Sequence, residues 1–193
     1  MQVYLASQSP RRAELLRQIG VPFRVLTSDV DETPLSRETP DDYVARVARN
    51  KAEAAWLRVV ARRMKPYPVL AADTAVILGR RILGKPATNA AARSMLQALS
   101  GRSHRVLTTI AVAHENRLRL AASVTQVKFR RLSAEEISRY VASGEPRDKA
   151  GAYGIQGLAA TFIARIEGSY SGVMGLPLFE TARLLKTFGI HVL

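Results

Sequence analysis

Two long β-rich runs, residues 105–114 and 118–131, are separated only by Glu115-Asn116-Arg117. So short a connection leaves antiparallel pairing as the way to satisfy both backbones, and this pair constrains the fold more than any other feature. Shorter strands and helices alternate around it. Val3-Tyr4-Leu5-Ala6 is apolar and strand-like, and Pro10 then opens a segment with Leu15, Leu16 and Ile19 at helical spacing, closed by Gly20. Residues 23–26 read as a second short strand, followed by the acidic turn Asp29-Val30-Asp31-Glu32-Thr33-Pro34. A helix starts with Thr39 as N-cap, Pro40 at the first position and Asp41 and Asp42 in the first turn, and runs to about Arg63.

Residues 69–72 form a buried-type strand that delivers Asp73-Thr74, and 75–78 with 82–83 flank Gly79-Arg80-Arg81 as a hairpin. Asn89 is expected to cap a helix ending near Gly101, and Ser133-Ala134-Glu135-Glu136 is a capping box for a helix that stops at Gly144. Gly151, Gly154 and Gly157 make 151–157 a loop. A strand over 162–166, a Gly/Ser-rich turn and a helix over 178–188 complete the chain. Alternating strands and helices with one antiparallel block specify the α/β class with a mixed sheet.

At about 150 residues per domain, 193 residues make one domain or two small lobes, and 47% hydrophobic content supplies a core. The chain is read as a single domain over 1–193. Its apolar stretches of about five to eight residues are far from the roughly 20 needed to cross a bilayer, and no leader pattern is seen, so a soluble cytoplasmic protein is expected. Without cysteine, chemistry through a thiolate, a disulfide or Cys-ligated zinc is excluded. The 29 Lys+Arg against 16 Asp+Glu leave a formal charge of +13, which asks for an anionic partner. Arginine pairs (Arg11-Arg12, Arg62-Arg63, Arg80-Arg81, Arg130-Arg131) are scattered, so a disordered basic arm is not expected.

Ser7-Gln8-Ser9-Pro10-Arg11-Arg12 lies between a strand and its helix, where free backbone N–H groups, hydroxyls and guanidinium forks suit a phosphate. The alternative is a Ser N-cap with two solvated arginines. Asp73 ends an apolar strand and is a poor strand former, so it reads either as a metal or proton-transfer carboxylate or as a turn residue. Gly79 to Lys85 spells G-x-x-x-x-G-K, but Pro86 stands where a P-loop needs Ser or Thr, and a P-loop is rejected. Lys85 remains a candidate phosphate-binding cation. Asp31 and Glu32 are metal ligands beside Asp73 or a solvated turn. Lys51 alone would be a surface lysine. Gln156, between Ile155 and Gly157, could present its amide to a base edge. A Ser-His-Asp triad has no G-x-S-x-G elbow to support it; His104 reads as capping a strand start.

In this order, Leu5-Ala6-Ser7-Gln8-Ser9-Pro10-Arg11-Arg12, Arg49-Asn50-Lys51-Ala52, Ala72-Asp73-Thr74, Gly84-Lys85-Pro86, Leu99-Ser100-Gly101 and the run from Asp148-Lys149-Ala150 to Gly157 resemble the Maf family of nucleotide pyrophosphatases over essentially the whole chain. The resemblance implies a strongly twisted mixed sheet flanked by helices, in two lobes with a cleft, similar to inosine triphosphate pyrophosphatases, often as a homodimer. It implies hydrolysis of a nucleoside triphosphate to monophosphate and pyrophosphate with a divalent metal (Mg²⁺, Mn²⁺ or Co²⁺). On matching positions, Asp73 would be the catalytic acid/base, Ser7, Arg12, Lys51 and Lys85 would hold phosphate, and Glu32 would bind metal with Asp73. Arg11, Thr74 and Gln156 match specificity positions of the subfamily that prefers dTTP and UTP, rather than its 7-methyl-GTP-preferring sister. The family is also linked to restraint of septum formation. The competing expectation is therefore a basic nucleic-acid-binding or division-regulating protein without essential catalysis.

Overall fold

The computed structural model describes residues 2–27 and 29–192. Its elements are β1 (Val3–Leu5), α1 (Pro10–Gln18), β2 (Phe23–Val25), α2 (Pro40–Ala61), β3 (Val69–Leu78), β4 (Arg81–Leu83), α3 (Asn89–Leu99), β5 (Ser103–His114), β6 (Arg117–Phe129), α4 (Ala134–Ala142), β7 (Ile163–Glu167), α5 (Tyr170–Met174) and α6 (Leu178–Lys186). The antiparallel pair expected from the sequence is the spine, with β5 and β6 in register from Ser103 opposite Lys128 to His114 opposite Arg117. The sheet runs β2-β1-β3-β5-β6-β7, with β4 also on β3. β1 is parallel to β2 and β3, and the remaining pairs are antiparallel, so the sheet is mixed.

Strand alternation assigns each face its helices. Val3 and Leu5, Leu70 and Ala72, and Ile110 and Val112 point to one face and pack with Leu15 and Leu16 of α1 and Leu184 and Leu185 of α6. Their neighbours Tyr4, Val69, Ala71, Ala111 and Ala113 point to the other, against Ala48, Ala52, Ala55 and Val59 of α2. The small alanines on both sides let this long helix lie close to the sheet. At the far end of the same strands a second core joins Val76, Val106, Val127 and Phe129 to Leu96 and Leu99 of α3 and Ile137, Tyr140 and Val141 of α4. Separate cores on both faces and at both ends thus share one set of long strands.

Several local expectations hold. The Thr39 hydroxyl accepts from the Asp42 amide at 3.2 Å, and the Ser133–Glu136 capping box is complete in both directions. The hairpin of β3 and β4 confirms that 79–85 is no phosphate cradle. Four expectations change. Thr88, not Asn89, caps α3, because its hydroxyl reaches the Ala91 amide while Asn89 is already helical. β7 begins at Ile163, after a 3₁₀ turn over Leu158–Phe162. The Gly/Ser-rich segment is not merely a turn, since the Ser169 hydroxyl accepts from the Gly172 amide and starts α5. Residues 69–78 form one continuous strand, so Asp73 lies in its middle rather than at its end.

Candidate active site

One edge of β3 carries β5 along its length, while the other is shared by two short strands. β1 covers that second edge as far as Leu70, and β4 covers it from Val76 onward. Among the described residues no strand covers 71–75 there. This gap opens a cleft of about 1200 Å³ that reaches Ser7, Arg11, Arg12, Glu32, Lys51, Asp73, Thr74, Lys85 and Gln156. The residues matched to the family motifs therefore face the same space, whereas Asp31 and His104 do not line it.

Asp73 and Thr74, adjacent in β3, point to opposite faces of the sheet. On the α2 side, the Asp73 carboxylate is buried (6% exposed) and accepts from Lys51 Nζ at 2.8 Å. The same ammonium lies 2.8 Å from Glu32 Oε1. Lys51, its side chain 13% exposed, thus bridges two carboxylates and is not the surface lysine that its own sequence context suggested. Burial lifts the Asp73 carboxyl above its ordinary value; the positive charges of Lys51 and Arg12 oppose that rise.

The acidic turn is divided between two roles. Asp31 accepts from the Thr33 amide at 2.8 Å and shapes the turn, whereas Glu32 reaches Lys51. Arg46 of α2 fastens the segment from behind: it pairs with Glu38 at 2.6 Å and donates to the Thr33 carbonyl at 3.0 Å. Glu38, held by that guanidinium, is acidified to about 2.

On the opposite face, the loop leaving β1 brings Ser7 and Arg12 to Thr74. Arg12 Nε donates to the Gly175 carbonyl at 2.8 Å, Nη1 to Ser7 Oγ at 3.1 Å and Nη2 to Thr74 Oγ1 at 3.2 Å. Thr74 and Thr108 hydroxyls lie 2.8 Å apart, and Thr108 donates to the Gly172 carbonyl at 2.8 Å. With that donor committed, the proton order runs from Arg12 to Thr74 to Thr108 to Gly172. Ser9 occupies the N-cap position of α1 without a side-chain cap bond; its amide instead donates to Ser7 Oγ at 3.2 Å. Burial lowers the Arg12 pKa, with Asp73 acting in the opposite direction. Gly175 ends α5 at φ 109°, and a Cβ there would stand 3.3 Å from Arg12 Nε, so glycine keeps this carbonyl open to the guanidinium.

Thr108→Val should leave the shape of β5 while orphaning the Gly172 carbonyl and the Thr74 hydroxyl proton. We expect a loss of about 1–3 kcal/mol of unfolding free energy in denaturant titrations, and an unchanged midpoint would count against the relay.

Arg11 and exposed Lys85 sit around the cleft, and the Gly151 amide ties the Lys85 loop to the 151–157 loop through the Gly84 carbonyl at 3.1 Å. Gln156 is exposed on the rim beside buried Ile155. His104 lies within a strand start as expected, but buried (2% exposed) and bonded to Tyr153 at 2.8 Å, far from a triad role. Burial lowers its pKa to about 4. Four cleft or support residues escaped the sequence reading. Tyr43 faces the cleft, its phenol pushed up to about 12 by burial and by Asp73 and Glu32. Thr108, Glu145 and Lys149 act through contacts to partners that sequence spacing does not reveal. For Glu145 and Lys149 the one available signal was their position just before and within the Asp148-to-Gly157 motif.

The fold and cleft define an α/β protein whose polyanion-sized groove, rimmed by arginine and lysine, holds a buried carboxylate. A family model described as Maf-like protein matches residues 2–188. The chain belongs to the Maf-like protein family. It is 54% identical to a dTTP/UTP pyrophosphatase of Nitrosomonas europaea, covering 98% of this chain and 96% of that one. The proteins of the same name from Ralstonia nicotianae and Pasteurella multocida are 58% and 50% identical, over 97% and 99% of this chain and 94% and 98% of theirs. Among solved structures, the Staphylococcus aureus Ham1 protein matches with a TM-score of 0.46 at 16% identity, covering 67% of this chain and 72% of that one.

Proposed function

We propose that this protein hydrolyses nucleoside triphosphates, dTTP and UTP foremost, to the monophosphate and pyrophosphate. The observation that carries the reading is a buried carboxylate, Asp73, bonded to Lys51 in a cleft that also presents Arg11, Arg12 and Lys85. The names of its relatives support the same substrates.

In this reading water attacks the α-phosphorus. An O–P bond forms, the bond to the bridging oxygen of the leaving pyrophosphate breaks with its electron pair on that oxygen, and the water proton passes to Asp73. A substrate with about four negative charges needs cations along its length, because charge grows on the bridging and equatorial oxygens as the bond breaks. Arg12 presents a fork already braced by Ser7, Thr74 and Gly175. Lys51 holds Asp73 in place and, with Lys85 and Arg11, adds positive charge. Gln156 offers its amide as donor and acceptor to a pyrimidine edge.

The carboxylates of Glu32 and Asp73 are neighbours, each with one oxygen 2.8 Å from Lys51 Nζ, so the ammonium fills the space between those two oxygens and an ion would use the carboxylates' other oxygens. Among the described residues no group of three or more acidic or histidine side chains could form a cage. Two carboxylates suit Mg²⁺ or a similar ion that takes its other ligands from phosphate and water. We therefore assign Glu32 and Asp73 as its holders. When bound, such an ion would supply charge neutralisation and acidify water.

The test is a panel of dTTP, UTP and purine triphosphates with Mg²⁺, Mn²⁺ or Co²⁺, assayed for both products. Pyrophosphate with monophosphate, dTTP and UTP first, is the expected result. Salt-sensitive DNA binding without pyrophosphate release would instead favour the nucleic-acid reading. Gln156→Ala is expected to reorder the panel rather than slow all substrates alike; an unchanged order would remove Gln156 from base recognition.

A further inference from the structure

Gln156 lies on a loop, and a flexible amide on a flexible loop selects poorly because each base edge can find an orientation that suits it. Here the backbone on both sides of Gln156 is fastened to one small polar unit. Tyr140 of α4 is buried (3% exposed), its ring packed edge-on to Phe162 with centroids 5.0 Å apart. Its hydroxyl accepts from the Gly154 amide at 3.3 Å and donates to Glu145 Oε1 at 2.9 Å. The Glu145 carboxylate then accepts from the Leu158 amide at 2.8 Å and the Ala159 amide at 3.4 Å. The loop is anchored two residues before Gln156 and two residues after it. A Cβ on residue 157 would fall on the Glu145 carboxylate, so Gly157 is what allows carboxylate and loop to meet. Lys149 closes the unit by donating to the Glu145 carbonyl at 2.5 Å.

The geometry points to Tyr140 and Glu145 as positioning residues for base selection: a phenol–carboxylate bracket that holds the Gln156 loop so that its amide meets the base in one orientation. This rests on the reading of Gln156 as the base-contacting residue. Neither bracket residue touches the phosphate cations or Asp73, so loss of the bracket should act on discrimination and on KM more than on kcat.

The experiment measures kcat and KM for dTTP and dGTP in wild type, Glu145→Ala, Glu145→Gln, Tyr140→Phe and Gln156→Ala. In Glu145→Ala we expect the dTTP-over-dGTP ratio of kcat/KM to shrink roughly tenfold, carried by KM for dTTP. Glu145→Gln keeps an oxygen for the Leu158 amide and can donate an N–H to the Tyr140 hydroxyl, but it loses the acceptor for the Ala159 amide and should retain only part of the ratio, more than Glu145→Ala. Tyr140→Phe keeps the ring in the core, loses the Gly154 anchor and should shrink the ratio in part; it serves if Glu145→Ala fails to fold. A ratio unchanged in both Glu145→Ala and Tyr140→Phe while Gln156→Ala alters it overturns the bracket alone. An unchanged ratio in Gln156→Ala overturns the base-reading role and the bracket with it. Equal slowing of both nucleotides, or a Glu145→Gln ratio as small as that of Glu145→Ala, also overturns the bracket.

Discussion

Asp73→Asn is expected to lower pyrophosphate release from dTTP by on the order of 10²–10⁴-fold, the usual worth of a placed proton acceptor. The change is nearly isosteric, and the neighbouring groups keep other partners. Lys51 retains Glu32, and Arg12 retains Ser7, Thr74 and Gly175. A cooperative unfolding transition should therefore persist, and turnover near the wild-type rate would remove Asp73 from the chemistry.

The same residue sets a pH signature. Because burial raises the Asp73 carboxyl, the acid limb of kcat/KM should inflect above the ordinary aspartate value of about 4, at the upper end of the interval between the unfolded and the folded value. The stability consequence has a definite sign. A carboxyl whose folded pKa exceeds its unfolded one binds protons more tightly when folded, so wild type should lose stability relative to Asp73→Asn as pH rises through that interval. Denaturant midpoints for the two proteins between pH 3 and 7 would check it; a difference moving the other way would mean that Lys51 outweighs burial.

Arg12→Lys is expected to lower kcat/KM for dTTP by on the order of 10²-fold or more, although the charge is unchanged. Three of the five guanidinium donors are used on three oxygens from separate parts of the chain. That leaves one N–H on each terminal nitrogen for phosphate, aimed by the other three. A lysine carries its donors on one atom and cannot brace itself on the Gly175 carbonyl, Ser7 and Thr74 while also gripping substrate. Wild-type KM and kcat in this variant would show that Arg12 acts only as a diffuse charge.

Much of the fold is local enough to read directly. The β5–β6 pair follows from two strand-like runs and a short connection, and the α2 and α4 starts follow from hydroxyl and carboxylate positions a few residues apart. Where reading failed, a non-local partner usually decided. Asp73 looked terminal because Asp interrupts an apolar run, yet pairing with β5 carries the strand straight through it. Lys51 had no distinction in its own segment, since its two carboxylates lie on the acidic turn and on β3.

The sequence by itself determined the class of sheet, the residue types available for chemistry and, through its motifs, the positions that line one cleft. It also held the +13 charge, without saying how much of it serves the site. Only the tertiary structure decided that β1 and β4 leave one edge of β3 open, that Asp73 and Thr74 serve opposite faces of the sheet, and that Tyr140 and Glu145 fasten the Gln156 loop. The physical reason is range. Caps and strand periodicity act over a few residues and are written into them, whereas a buried charge or a braced guanidinium depends on which distant oxygens the folded chain brings within hydrogen-bond distance.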